Sequence, residues 1–350
     1  MLSGGGARGA YQVGALRAVC ERWPHSPFRL ISGSSIGALH AAAVAHGVES
    51  GDLPGALRRL ESAWLAPGNP LRLHWRSWLA TALRLVRYGP TPAALAAFRS
   101  VFDDLPVRRR LAAVIPPDLT FGALSRVELI VTATDLNTGR TAVFDRRTPQ
   151  VRVLDAVLAS TAIPAIFPSR QVPGAGNGWY VDGGVFDNTP LGHVIRRGAG
   201  DVLVVSTQAR CGRDGPPAEG GPFADAVSVV RRLWPLVLDR LLYEDLRRAR
   251  LVNEIVRIIE ADPDPDSVTV ARLKAAIGYQ KGGRRKVTVG LIEICPDREL
   301  APPGTLGFDD REAIRRCMDL GYRDARRLLA GTRVQDRDPG PPTAGTAPPA

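Results

Sequence analysis

Apolar positions in this chain fall into short runs and helical stripes, separated by glycine- and proline-rich breaks. Met1–Ser3 predicts a strand stub, Gly4–Gly9 a glycine turn, and Ala10 to about Arg22 a helix closed by Pro24 and Pro27. The apolar run Phe28–Ile31 predicts a strand, and after Ser32–Ser35 an alanine-rich helix runs from Ile36 to about His46. Strand, tight turn and helix, repeated, is the pattern of an α/β fold with a parallel sheet. Residues 52–66 and 71–99 read as helical, broken at Pro67–Pro70 and at Gly89-Pro90. Val127–Ala133 and Thr141–Phe144 have strand character and flank the turn-forming Asp135–Gly139. A helix is predicted over Val153–Ser160, strands over Trp179–Val181 and Asp201–Ser206, a last strand over Val287–Ile294 and a last helix over Asp309–Leu329.

Composition narrows the class. With 350 residues, 45% of them hydrophobic, the chain can bury a substantial core in one large domain or two smaller ones. The net charge of +11 is nearly all arginine, since the only lysines are Lys274, Lys281 and Lys286. Together with the abundant alanine, glycine and proline, this is what a GC-rich coding sequence produces. It also suits attraction to anionic lipid head groups. No helix-turn-helix, RNA-binding or zinc-finger signature accompanies the charge, so nucleic acid is not an expected partner. Cys20, Cys211, Cys295 and Cys317 are scattered, which fits neither a disulfide framework nor a zinc site. The first residues enter a glycine loop with no apolar leader, and no apolar run reaches the roughly 18 residues of a membrane span. These features predict a cytoplasmic protein, with peripheral contact to a membrane surface as a further expectation.

Three motifs carry chemistry. Gly4-Gly5-Gly6-Ala7-Arg8-Gly9 lies between a strand and a helix, where glycines let backbone amides converge on an anion or an oxyanion. Gly4, Gly6 and Gly9 also fit a dinucleotide-binding fingerprint, but that requires an acidic residue after the next strand, and Ser32-Gly33-Ser34-Ser35 stands there instead. Gly33-Ser34-Ser35-Ile36-Gly37 is a G-x-S-x-G pentapeptide with strand before and helix after, the context of a nucleophile elbow. Ser35 is the candidate nucleophile, and the amide of Ile36 can help hold an oxyanion. Of the five histidines, His40 and His46 ride on the following helix, His25 and His74 lie in unsuited segments, and His193 reads as a surface or packing residue. Asp182-Gly183-Gly184 offers another base, a carboxylate at a strand end that can accept the Ser35 proton directly.

These motifs, in this order, resemble the patatin-like phospholipases. Ser160-Thr161-Ala162-Ile163-Pro164-Ala165-Ile166-Phe167-Pro168 is similar to the segment preceding that family's aspartate. The resemblance covers roughly residues 1–208 and implies a three-layer α/β/α fold with a mostly parallel central sheet. It implies a Ser–Asp dyad of Ser35 and Asp182, with the amides of Gly4, Gly5 and Gly6 as oxyanion hole beside Ile36. Arg8 and Gly9 take the position of a loop anchor, and Gly33, Gly37, Gly183 and Gly184 are the motif glycines. The implied activity is hydrolysis of carboxylic esters of phospholipids, lysolipids or glycerides through an acyl-enzyme, with no cofactor and no metal. The alternative is a non-catalytic lipid-binding or regulatory module.

Residues 209–222 read as a Gly/Pro-rich loop, 223–330 as a largely helical portion with one strand packed on the catalytic region, and 331–350 as a disordered tail. Members of the family carry more apolar residues before the glycine loop than Met1-Leu2-Ser3. Either the true start lies upstream or the first strand is truncated, and an N-terminal extension from the upstream frame is expected to raise soluble yield or melting temperature. Leu71, Trp75, Trp78, Leu79, Ala82, Leu83 and Val86 form a helical stripe, with Arg72, Arg76, Arg84 and Arg87 largely off it. Such a stripe packs on a core or, with Trp and Arg, meets an anionic lipid surface and lids the Ser35 cleft.

Overall fold

The structure is a computed structural model that describes residues 1–24, 26, 28–68, 70–209, 246–264, 267–277, 280–281, 284–285, 288–298, 300 and 308–331. Its main elements are α1 (Ala10–Arg22), β1 (Leu30–Ser34), α2 (Ile36–Ser50), α3 (Leu53–Leu65), α4 (Trp75–Tyr88), α5 (Leu105–Ala112), β2 (Glu128–Asp135), β3 (Arg140–Phe144), α6 (Val153–Ser160), β4 (Tyr180–Asp182), β5 (Asp201–Val205), β6 (Gly290–Ile294) and α7 (Arg311–Gly331). A further helix covers 246–261. Of the loop expected at 209–222 all but residue 209, of the helical portion from 223 everything before 246, and of the tail expected at 331–350 all but residue 331 lie outside the described residues.

The sheet is built around a short first strand. Leu2 bridges in parallel to Gly33 of β1 and to Val205 of β5, so the stub stands between them. β6 pairs with β5 and β1 with β2, both parallel. The far side is antiparallel, because the tight turn after β2 returns the chain as hairpin strand β3, and β4 also runs against β2. The alternation in β5 sets the layers. Leu203 and Val205 face one core with helices α1, α2, α3, α6 and α7, while Val202 and Val204 face another with Leu191, Val194 and residues of helix 246–261. Helices thus cover both faces of one sheet.

Two differences from the sequence reading have local causes. Arg72–Leu73 pairs with Phe102–Asp103 as a small ribbon, so the helix begins only at Trp75. Helix α5, absent from the pattern reading, is short and starts at Leu105-Pro106, proline being accepted in a first turn where its missing N–H has no helical partner.

Helix α7 crosses α1 at two glycines. A Cβ on Gly14 would lie 1.8 Å from the Met318 carbonyl oxygen, and one on Gly321 would lie 2.0 Å from that of Tyr11. The crossing is fixed by Tyr11 Oη donating to Asp324 (3.0 Å) and Tyr322 Oη to Glu21 (2.7 Å). Gly321→Ala, favourable in an exposed helix, is expected to destabilise this protein by about 1–3 kcal/mol through overpacking. A thermal melt equal to or above wild type would show that α7 is not held this closely.

Candidate active site

Ser35 occupies the turn between β1 and α2 with φ 53° and ψ −128°, a conformation that L-residues avoid. Such strain costs on the order of 1–3 kcal/mol and persists only where the surroundings enforce it. Here the glycines permit it. A Cβ on Gly33 would lie 2.2 Å from Gly37 O, and one on Gly37 would lie 2.4 Å from Leu2 O. The Ser35 amide donates to Ser160 Oγ at the end of α6 (2.8 Å).

Ser35 Oγ donates to Asp182 Oδ2 at 2.6 Å, joining residues far apart in sequence. The other carboxylate oxygen, Oδ1, accepts from the Gly184 amide at 2.7 Å. The backbone of Asp182 is tied on both sides: its amide donates to Ala162 O (2.9 Å), and its carbonyl accepts from Thr134 Oγ1 (3.0 Å). Gly183 is required because a Cβ there would lie 2.4 Å from Thr132 O and 2.6 Å from Ser34 Oγ. Asp182 is buried, and desolvation pushes its carboxyl up to about 7, against the opposing hydrogen bonds from Ser35 and Gly184. A carboxylate poised near neutrality and bonded to a serine hydroxyl is equipped to take that hydroxyl's proton.

The glycine loop lies directly on this pair. A Cβ on Gly4 would be 3.1 Å from Ser35 Cβ and 2.2 Å from Asn188 Oδ1. The Gly4 amide donates to Asn188 O (3.3 Å), so Gly4, expected among the oxyanion donors, instead fastens the loop. Gly5 and Gly6 stand at the N-terminus of the 3-10 turn Gly6–Gly9, and Ile36 at that of α2, where amides precede the first helical hydrogen bond. Arg8 is buried in the same turn, with Gly9 against Ile36 and His40.

A buried polar chain holds the loop from below. Trp64 Nε1 donates to His40 Nε2 (3.0 Å), His40 Nδ1 to Gln12 Oε1 (2.7 Å), and Gln12 Nε2 to both Ser3 O and Val205 O (2.9 Å each). Each donor meets an acceptor only if the His40 proton sits on Nδ1, and burial pushes its pKa down to about 3, which keeps the ring neutral. Thr207 Oγ1 (2.7 Å) and Gln208 Nε2 (3.2 Å) donate to Gly4 O. Asn188, Gln12, His40, Thr207, Gln208 and Ser160 support the site and were not singled out by sequence as site residues. The nearest signal was the position of Ser160 at the head of the 160–168 segment. His193 pairs with Asp187 (3.1 Å) and Arg196 (2.9 Å).

Ser35, Gly6 and Ile36 open into a cleft on the protein surface. Its walls are apolar, with Leu39, Leu60, Trp64, Leu111 and Phe167 prominent, and Arg110 is its one charged lining residue among those described. Arg110 donates to the carbonyls of Pro67 (3.0 Å) and Gly68. Among the described residues no three His, Cys, Asp or Glu side chains converge as a metal site requires, and no helix is long and apolar enough to cross a membrane.

The chain is similar to known proteins. The chain is 24% identical over 206 residues to a cGAMP-activated phospholipase of Vibrio cholerae, covering 54% of each. It therefore spans about half the length of the curated relative it matches. Among solved structures, VipD of Legionella pneumophila aligns over 94% of this chain and 66% of its own, with 15% identity and a TM-score of 0.39. ExoU, in its complex with SpcU from the type III secretion system of Pseudomonas aeruginosa, aligns over 79% of this chain and 60% of its own, with 20% identity and a TM-score of 0.26. Residues 1–195, more than half of the chain, match the patatin-like phospholipase domain, and the chain belongs to that family.

Proposed function

We propose that the chain hydrolyses carboxylic ester bonds of lipids, whether phospholipid, lysophospholipid or glyceride, with a Ser35–Asp182 dyad. Ser35 Oγ attacks the ester carbonyl carbon while its proton passes to Asp182 Oδ2. The oxyanion that forms is held by the amides of Gly5, Gly6 and Ile36. Collapse breaks the bond to the leaving alcohol, which takes the proton from Asp182 and leaves an acyl-serine. Asp182 then removes a proton from water, whose oxygen attacks the acyl carbon, and the proton returns to Ser35 as the fatty acid leaves. Arg8, buried in the turn, takes the place of the loop anchor.

The observation that carries this reading is the 2.6 Å hydrogen bond from Ser35 to a buried carboxylate, at a strained elbow opening into an apolar cleft. The cleft suits an acyl chain, and family membership supports a lipid substrate. The test is hydrolysis of p-nitrophenyl esters of increasing acyl length by wild type and Ser35→Ala. Wild type is expected to turn over, with its preferred length reporting the cleft, and the variant to fall by roughly three orders of magnitude or more. A folded wild type inert on these esters and on phospholipid vesicles would leave the lipid-binding module as the better reading.

A further inference from the structure

Helix α4 is inside out. Its two buried residues are Ser77 and Thr81, while Trp75 (60% exposed), Leu79 (50%), Leu83 (63%) and Val86 (88%) face water. An amphipathic helix on a globular protein ordinarily turns the opposite face outward. The polar face is specifically seated: Ser77 Oγ accepts from the Arg99 amide (2.8 Å), and the His74 amide at the start of the helix donates to Val101 O (2.9 Å). Trp78 Nε1 donates to Val101 O (3.3 Å), and its ring meets Phe98 edge-on at 5.2 Å. The outward apolar face is therefore fixed by hydrogen bonds on the other side, and exposed apolar patches of this kind mark contact surfaces.

The charge around the face identifies the partner. From Ser62 to Phe102 the sequence holds no Asp or Glu and five arginines; Arg72 pairs with Asp103 just beyond, while Arg76, Arg84 and Arg87 lie on α4 itself. Arg76 lies over the Trp75 ring and Arg87 over that of Tyr88, which places cations at the edge of the apolar stripe. Trp and Tyr with flanking arginines suit the boundary between acyl chains and anionic head groups.

Position ties this face to the site. Pro70 and Leu71, just before α4, line the Ser35 cleft, and Leu73 between them and the helix is 57% exposed. The segment beneath α4 is joined to the opposite cleft wall, Val101 N donating to Ala165 O and Phe102 N to Ile166 O (2.9 Å each). Ile163 and Phe167 on either side line the cleft. The helix is thus part of the rim.

We infer that α4 seats the chain on an anionic bilayer, apolar face inward, so that the cleft mouth is presented to the lipid. This rests on the reading of the Ser35 cleft as a lipid-ester site. The test is co-sedimentation with vesicles of diether phosphatidylcholine, with and without diether phosphatidylglycerol, whose ether links resist hydrolysis. Wild type is compared with Leu83→Gln/Val86→Gln, whose side chains lie in solvent. Wild type is expected to bind the phosphatidylglycerol vesicles better and to lose that preference in high salt. The variant is expected to bind about tenfold or more weakly, while hydrolysing soluble p-nitrophenyl butyrate like wild type. Equal vesicle binding by both proteins would overturn the inference. So would a wild type that ignores vesicles and forms a dimer that the variant does not, since the face would then be covered by a second copy. Weakened vesicle binding with no ester hydrolysis by either protein would uphold the docking helix and remove the hydrolase reading instead.

Discussion

Asp182→Asn is expected to yield a protein more stable than wild type above neutral pH and nearly devoid of esterase activity. The asparagine fits the same contacts: its oxygen can accept from the Gly184 amide and its amide can donate to Ser35 Oγ, replacing the bonds now made by the carboxylate. What it removes is the buried charge. Burial raises the Asp182 pKa from 3.8 to about 7, so the folded state binds this proton more tightly than the unfolded chain. The protonated group's contribution is fully present below about pH 4 and is lost as pH rises through about 7. Above that, holding the carboxylate ionised costs up to about 4 kcal/mol, at about 1.4 kcal/mol for each pH unit of displacement. Melts at pH 5 and pH 8 should therefore show the variant's advantage widening at pH 8. Because the ionised form must take the Ser35 proton, wild-type kcat/KM should climb with pH through about 7. The variant should lose roughly three orders of magnitude or more at every pH. A variant less stable than wild type at pH 8, or a wild-type rate flat across this range, would contradict the assignment of Asp182 as a buried base.

The elements that bring Ser35 and Asp182 together were legible because the information is local. The strand, Gly33–Gly37 and the helix after it encode an elbow within about a dozen residues, and Asp182-Gly183-Gly184 ends its strand in the same way. The unbroken apolar run Val202–Val205 likewise suits the strand it forms, which is buried on both faces. What the sequence withheld depends on distant neighbours. His40 follows Ser35 on the same helix, yet nothing near it in the sequence indicates that it bridges Trp64 and Gln12 under the glycine loop. The motif around Gly4 points to an oxyanion role, whereas the carbonyl that takes its amide belongs to the distant Asn188. For α4, periodicity revealed which side chains share a face but not which face the protein covers. That depended on Ser77 meeting the backbone at Arg99, a contact with no periodic signal.

Gly37→Ala is expected to reverse the usual sign of its substitution class. In an exposed helix the change gains about 1 kcal/mol, since alanine restricts the unfolded chain and suits the helix. In α2 the new methyl would lie 2.4 Å from Leu2 O and 2.5 Å from Ser3 O, both backbone atoms that cannot turn aside. Those residues are the strand stub. Leu2 O accepts from the Ser34 amide (3.4 Å) and Ser3 O from Gln12 Nε2 (2.9 Å), so moving the stub loosens its seam between β1 and β5 and frees the end of the His40–Gln12 chain. The loss should reach about 3 kcal/mol or more, the upper part of what overpacking and broken buried hydrogen bonds produce. The stub runs straight into Gly4–Gly6, so the displacement also carries the proposed oxyanion donors away from Ser35. A shift on the order of 1 Å there is enough to lower the rate about a hundredfold. Urea denaturation and p-nitrophenyl ester kinetics on the same preparation read both effects. A variant that is destabilised but fully active would show that the glycine loop keeps its place without the stub, and that the elbow and the oxyanion loop are not one mechanical unit.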